Sequence, residues 1–137
     1  MPLHPCLYFT GSAEEALEHY RNALGGNVQI ARYKDAPPGQ PVDPTWNDKV
    51  MYGSLASPLG EVACMDAPPG RAGNPGNNFA ISVETDSESQ AGAAFAKLSE
   101  GGEVTMPMEK TFFAEKFGML HDKFGITWMI SYRVSQG

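Results

Sequence analysis

Long apolar runs are missing from this 137-residue chain, and so is any excess of positive charge. No stretch approaches the roughly 18 apolar residues that a membrane-crossing helix needs, so no membrane partner is expected. Ten Lys and Arg stand against sixteen Asp and Glu, for a formal net charge of −6, and no basic cluster stands out. Such a surface repels phosphate backbones, which excludes nucleic acid as an expected partner. Cysteine is scarce: Cys6 and Cys64 form no C-x-x-C pair, and two reduced thiols in a cytoplasmic protein is the reading. The opening "MPLHPCLYF" has no basic segment and no cleavage pattern, so no signal peptide is expected. The three histidines, His4, His19 and His121, show none of the spacings that bring two imidazoles to one metal.

What is present is enough apolar material for a core, 42% of residues with 10% aromatic, and a weak internal repeat. "TGSAEEALEHYRNALGGNV" from Thr10 resembles "TDSESQAGAAFAKLSEGGEV" from Thr85, with one extra residue in the second copy. Ser12 with Glu15, and Ser87 with Gln90, read as capping boxes, in which the serine oxygen accepts an orphan amide and the residue three on bonds back. Ala16, Leu17 and Tyr20, then Ala91, Ala94, Phe95 and Leu98, recur at helical spacing. Gly25-Gly26 and Gly101-Gly102 are expected to end the two helices, since glycine enters the left-handed region at little cost. "PCLYF" and "NFAISVE" read as strands ahead of each helix.

The later parts repeat as well. "YGSLASPLGEVACM" from Tyr52 can be laid on "FGMLHDKFGITWMI" from Phe117, matching Gly53 to Gly118 and Gly60 to Gly125. Both read as β-hairpins, the second with "DKFG" as a type I turn that begins at Asp122. The order strand, helix, strand, hairpin therefore occurs twice. The fold expected is α+β: two paired βαβββ modules, residues 1–67 and 77–137, joined by a linker at 68–76. They are expected to form a curved mixed-sheet cup with the helices outside.

Through "GSAEEALEHYRNALGG" and "VTMPMEKTFFAEKFGMLHDKFGITWMI", the chain resembles the vicinal oxygen chelate superfamily, which includes glyoxalase I, extradiol dioxygenases and the fosfomycin- and bleomycin-resistance proteins. Within it, "KTF…GM..D.FG..WM" looks most like the PhnB-like branch, and the likeness covers nearly the whole chain. The resemblance implies a homodimer and a divalent metal held by His and Glu from the first and last strands of each module. Anchored on the helix start and the hairpin glycine, those positions fall near Pro5, Ala80, Cys64 and Met129, none of which is a hard donor; a one-residue slip would bring in His4. In "KVMYGSL", where relatives often carry histidine, Tyr52 stands. The expectation is therefore a protein that binds a small, partly apolar molecule with no cofactor. A metal-dependent lyase, isomerase or dioxygenase with a displaced site is the alternative. Some relatives carry a ubiquinone-pathway methyltransferase label, but no Gly-rich strand-to-helix loop suited to a nucleotide-like methyl donor is visible.

Six residues are expected to touch the ligand: Lys110, Phe112 and Phe113 on a flap, Met129 and Tyr52 in the cup, and Trp46 in the Pro-rich loop "KDAPPGQPVDPTWND". Cys64 is expected beside Met129 as apolar lining. Trp128, with Ile126, Ile130 and Tyr132, is expected to pack beneath a helix, leaving Thr127, Met129 and Ser131 on the opposite face. His19 is expected on the exposed side of its helix, and His121 and Asp122 on opposite faces of their strand.

Overall fold

The structure, a computed structural model, describes residues 3–35, 44–67, 79–112 and 114–132. Eight strands and two α-helices follow the repeated order: β1 (Cys6–Phe9), α1 (Ala13–Leu24), β2 (Asn27–Arg32), β3 (Val50–Ser57) and β4 (Gly60–Asp66), then β5 (Ile81–Thr85), α2 (Glu88–Leu98), β6 (Glu103–Glu109), β7 (Lys116–His121) and β8 (Thr127–Tyr132). The strands form two four-stranded mixed sheets, ordered β1-β4-β3-β2 and β5-β8-β7-β6. In each, the first strand runs parallel to the last, and the other neighbours are antiparallel. The fold is thus two βαβββ modules, in two compact units.

Alternation along the strands decides which side chains face the helix. In the first sheet Leu7, Leu55, Val62 and Cys64 turn toward α1, whose Ala13, Ala16, Leu17 and Tyr20 are all fully buried. In the second, Val83, Leu120, Trp128 and Ile130 turn toward Ala91, Ala94 and Leu98 of α2. One glycine in each sheet makes this approach possible. A Cβ on Gly53 would stand 2.6 Å from Leu17 Cδ1, and one on Gly118 would stand 2.7 Å from Phe95 Cε2 and from Met108 Sδ. A side chain at either position would push its helix off the sheet.

The two helices begin differently. Ser87 has an extended backbone and its hydroxyl accepts the Gln90 amide at 3.0 Å, as expected. Ser12 makes no side-chain cap hydrogen bond. Its backbone, with φ −110° and ψ 15°, is not extended, and the buried Asp66 carboxylate takes over. Asp66 Oδ1 accepts from the Gly11 and Ala13 amides at 2.8 and 3.0 Å, and Oδ2 accepts from Val50 at 2.9 Å. The expected capping box at Ser12 is therefore replaced by a carboxylate from the far end of β4. The helix ends differ as well. Gly25, at φ 79°, caps α1, whereas α2 stops at Leu98 with Ser99 as its cap, before Gly101-Gly102. His19 is buried beside Tyr20, contrary to expectation: it lies three residues after Ala16 and widens the buried stripe.

The hairpins also differ, by one residue. Ala56 and Glu61 bracket residues 57–60, whereas His121 and Thr127, their counterparts, bracket 122–126. The longer turn is built around Asp122: Gly125 donates to its carbonyl, Phe124 and Ile126 donate their amides to Oδ1, and Trp128 Nε1 donates to Oδ2 at 2.9 Å. Trp128 is fully buried, as its place under the helix requires.

Candidate functional site

The candidate surface is the helix-free face of each sheet, and the register identifies its residues. In the first module these are Cys6 and Tyr8 on β1, Glu61, Ala63 and Met65 on β4, Tyr52, Ser54 and Ala56 on β3, and Gln29 on β2. Tyr8 and Met65 are register partners, and Tyr52 lies on β3, which flanks β4 on its other side. Tyr8 is 64% exposed and Tyr52 is 43% exposed, so two rings stand free on one face.

In the second module the same face holds three rows. Met106, Met119 and Met129 are register partners across β6, β7 and β8, continued by Ser82 on β5. Glu103, His121 and Thr127 form the row on one side, and Glu109, Phe117, Ser131 and Glu84 the row on the other. His121 Nδ1 and Thr127 Oγ1 are 2.9 Å apart, which fixes the ring on this face. His121 and Asp122 are separated as expected, since the carboxylate of Asp122 is spent on its own turn and on Trp128.

The extra residue in the second hairpin corrects one alignment. With Gly53 matched to Gly118, Cys64 corresponds to Ile130 and not to Met129, because Gly53 pairs with Cys64 and Gly118 with Ile130. Cys64 is consequently buried on the helix side, not beside Met129. Met129 does lie on the helix-free face, and its counterpart is Ala63. On β1 the same shift matches Leu7 to Val83, so Pro5 corresponds to Ile81 and His4 to Ala80.

The other expected contacts lie apart from these rows. Lys110 is exposed after β6, its Nζ 3.8 Å from Glu115 Oε2. Thr111 and Ala114 close the segment that follows: the Thr111 amide donates to the Ala114 carbonyl, and the Ala114 amide donates to Thr111 Oγ1. Phe112 projects from it fully exposed, and Phe113 lies outside the described residues. Trp46 ends a short 3-10 turn (Pro44–Trp46), and its indole Nε1 is buried with no hydrogen-bond partner among the described residues. Tyr8, Met106, Met119 and the His121–Thr127 pair were not anticipated. The alternation in "CLYF" and "KFGMLH" carries the signal for them once the register is known.

Among the described residues no three His, Cys, Asp or Glu side chains gather as a metal-binding group. On the helix-free face the first and last strands of the modules offer Cys6, Tyr8, Glu61, Ala63, Met65, Ser82, Glu84, Thr127, Met129 and Ser131. That set holds two carboxylates, one in each sheet, and no imidazole, and it does not fit a hard or borderline divalent cation, which needs several such donors converging.

Strand order and helix placement together define a fold of the glyoxalase type. The chain belongs to the Glyoxalase/Bleomycin resistance protein/Dioxygenase superfamily, whose family model matches residues 3–130. It is similar to protein PA1353 from Pseudomonas aeruginosa, with 33% identity over 98% of this chain and 99% of that one, at a TM-score of 0.87. A PhnB protein from Bacillus cereus, described as a candidate 3-demethylubiquinone-9 3-methyltransferase, shares 25% identity over 96% and 99% of the two chains, at a TM-score of 0.74. Protein YjdN of Escherichia coli K12 is 26% identical over 96% of this chain and 95% of its own length.

Proposed function

We propose that this PhnB-like protein binds a small, partly apolar molecule on its helix-free sheet faces and holds no divalent metal there. The observation that carries the reading is the exchange of donors for sulfur, rings and small side chains: Tyr8, Tyr52 and Met65 in one module, Met106, Met119 and Met129 in the other. Apolar and aromatic side chains with a few polar groups among them are the usual lining of small-molecule sites. Methyl transfer from a nucleotide-like donor is not proposed. The amides of Gly11 and Ala13 at the start of α1, where such a donor's anionic groups would be held, already bind the Asp66 carboxylate.

The chain is further proposed to work as a cytoplasmic homodimer. The family resemblance supports the dimer, and the two free cysteines are compatible with a reducing compartment. The test is a thermal-shift screen of small molecules against divalent cations on the intact protein, with sedimentation to count subunits. Saturable stabilisation by an apolar compound, lost in Tyr8→Ala/Tyr52→Ala or in Met119→Ala, is the result expected. Large stabilisation by one divalent cation and by no organic compound would overturn the reading.

A further inference from the structure

We infer that Met106, Met119 and Met129 form, together with His121, a binding site for a soft monovalent cation, Cu(I). The site goes beyond the small-molecule reading and does not depend on it.

The first observation is register. Met106 pairs with Met119, and Met119 with Met129, so three thioethers stand in one row on the adjacent strands β6, β7 and β8. Neighbouring strands lie about 4.8 Å apart, a gap that a long, flexible methionine side chain spans by leaning toward the middle strand. The pairing of β6 with β7 shifts register on both sides of Met106. Such irregularities re-aim a side chain and recur beside functional sites. Met106 is 42% exposed, and Met119 and Met129 are half-buried, so an ion can reach the row from solvent.

The second observation is that the fold does not require sulfur here. With Gly53 matched to Gly118, the same row of the first module holds Gln29, Ser54 and Ala63. A purely apolar lining would be served as well by valine or isoleucine, which suit strands better. A thioether is a neutral, soft donor. It favours Cu(I), whereas imidazole and oxygen donors suit the divalent ions. The third observation is His121, two residues after Met119 on the same face of β7 and so about 6.6 Å along the strand. Its Nδ1 lies 2.9 Å from Thr127 Oγ1. In the tautomer whose Nδ1–H donates to that hydroxyl, Nε2 keeps its lone pair and supplies a fourth donor. A ring held through one nitrogen by an outer partner while the other nitrogen ligates is the usual arrangement of a metal-binding histidine.

The test is an anaerobic titration of Cu(I) into the full chain against a coloured Cu(I) chelator, bathocuproine disulfonate. The protein carries Cys6→Ser, because the exposed Cys6 thiol is itself a soft donor. Ag(I), an air-stable ion of the same softness, serves as the probe for NMR. The protein has seven methionines, and labelling their methyl groups with carbon-13 makes each one a reporter. One equivalent of Ag(I) is expected to shift the Met106, Met119 and Met129 methyls together and to leave Met51, Met65 and Met108 unmoved. Met106→Leu/Met119→Leu/Met129→Leu keeps the apolar area and is expected to abolish Cu(I) binding. His121→Gln is expected to weaken it by at least about 10-fold, the loss that removing even an outer partner of a ligand causes. Thermal denaturation of each variant without metal checks that it folds. No competition with the chelator, shifts confined to other methyls, or unchanged affinity in either variant would overturn the inference. Organic compounds that bind in the thermal-shift screen, with no Cu(I) bound, would sink this inference alone. Cu(I) bound as described, with no organic compound binding, would sink the small-molecule reading alone.

Discussion

Asp66 and Asp122 are both buried, and each satisfies three donors. Asp66 ties the start of α1 to β3, and Asp122 ties the second hairpin turn to Trp128. Removing either carboxylate strands buried N–H groups, a costly kind of change in a folded protein. Asp66→Ala is expected to lower unfolding stability by about 3–5 kcal/mol in urea denaturation, and Asp66→Asn, which keeps one acceptor oxygen, by less. A loss under about 1 kcal/mol for the alanine variant would contradict this role. Trp128→Ala, which removes the largest fully buried side chain among the described residues and its hydrogen bond to Asp122, is expected to cost about 3–5 kcal/mol by the same measurement. The cysteines differ in access. Cys6 is exposed, although burial of its thiol pushes the pKa up, and Cys64 is buried. Ellman titration of the native protein is expected to count one slowly reacting thiol, and two after denaturation. Two fast thiols in the native state would refute the face assignment of β4.

At the scale of elements, the paired glycines govern how each helix meets its sheet. Gly53→Ala and Gly118→Ala are each expected to cost about 1–3 kcal/mol through overpacking against Leu17 and against Phe95. Wild-type stability in both would show that the helices stand farther off. The first turn of α1 is joined to the end of β2 by a two-bond contact: Arg32 Nη1 and Nη2 donate to Glu14 Oε1 and Oε2 at 2.9 and 2.8 Å. The Arg32 guanidinium holds the Glu14 carboxyl below its ordinary value of 4.5. Because the folded pKa is the lower one, this contribution is fully present above about pH 4.5 and is lost as pH falls through the folded value. The pair is partly exposed, so the effect is small and screened by salt. A Glu14→Gln variant should therefore lose part of the wild-type acid sensitivity below pH 4.5, and an unchanged acid limb would argue that the pair contributes nothing.

Much of this level was legible in the sequence. Helical spacing located α1 and α2, and alternation placed Trp128 and Ile130 under a helix with Met129 opposite. What failed was local chemistry supplied from a distance. Nothing near Ser12 indicates that Asp66 will reach its helix start, and one residue of turn length moved Cys64 to the other face. A strand's period of two makes a slip of one residue a reversal of every side chain. His19 failed for a related reason: the width of a buried helix stripe depends on what packs over it, which helical spacing alone does not reveal.

At the scale of the molecule, the repeat gave the family, and the described residues carry its strand order twice. No helix among them is long and apolar enough to cross a membrane. The helix-free faces of the first and last strands carry chiefly sulfur, hydroxyl and methyl groups, with Glu61 and Glu84 as their carboxylates. Fold and family likeness do not decide chemistry in such a case; the side chains on the face do. Elemental analysis of the intact protein, purified without chelator, tests that claim most directly. The account predicts less than about 0.1 equivalent of zinc, nickel, manganese or iron per chain, a bound for trace occupancy far below the one ion that a specific site holds. One equivalent of any of them, retained through gel filtration and removed only with loss of stability, would contradict it.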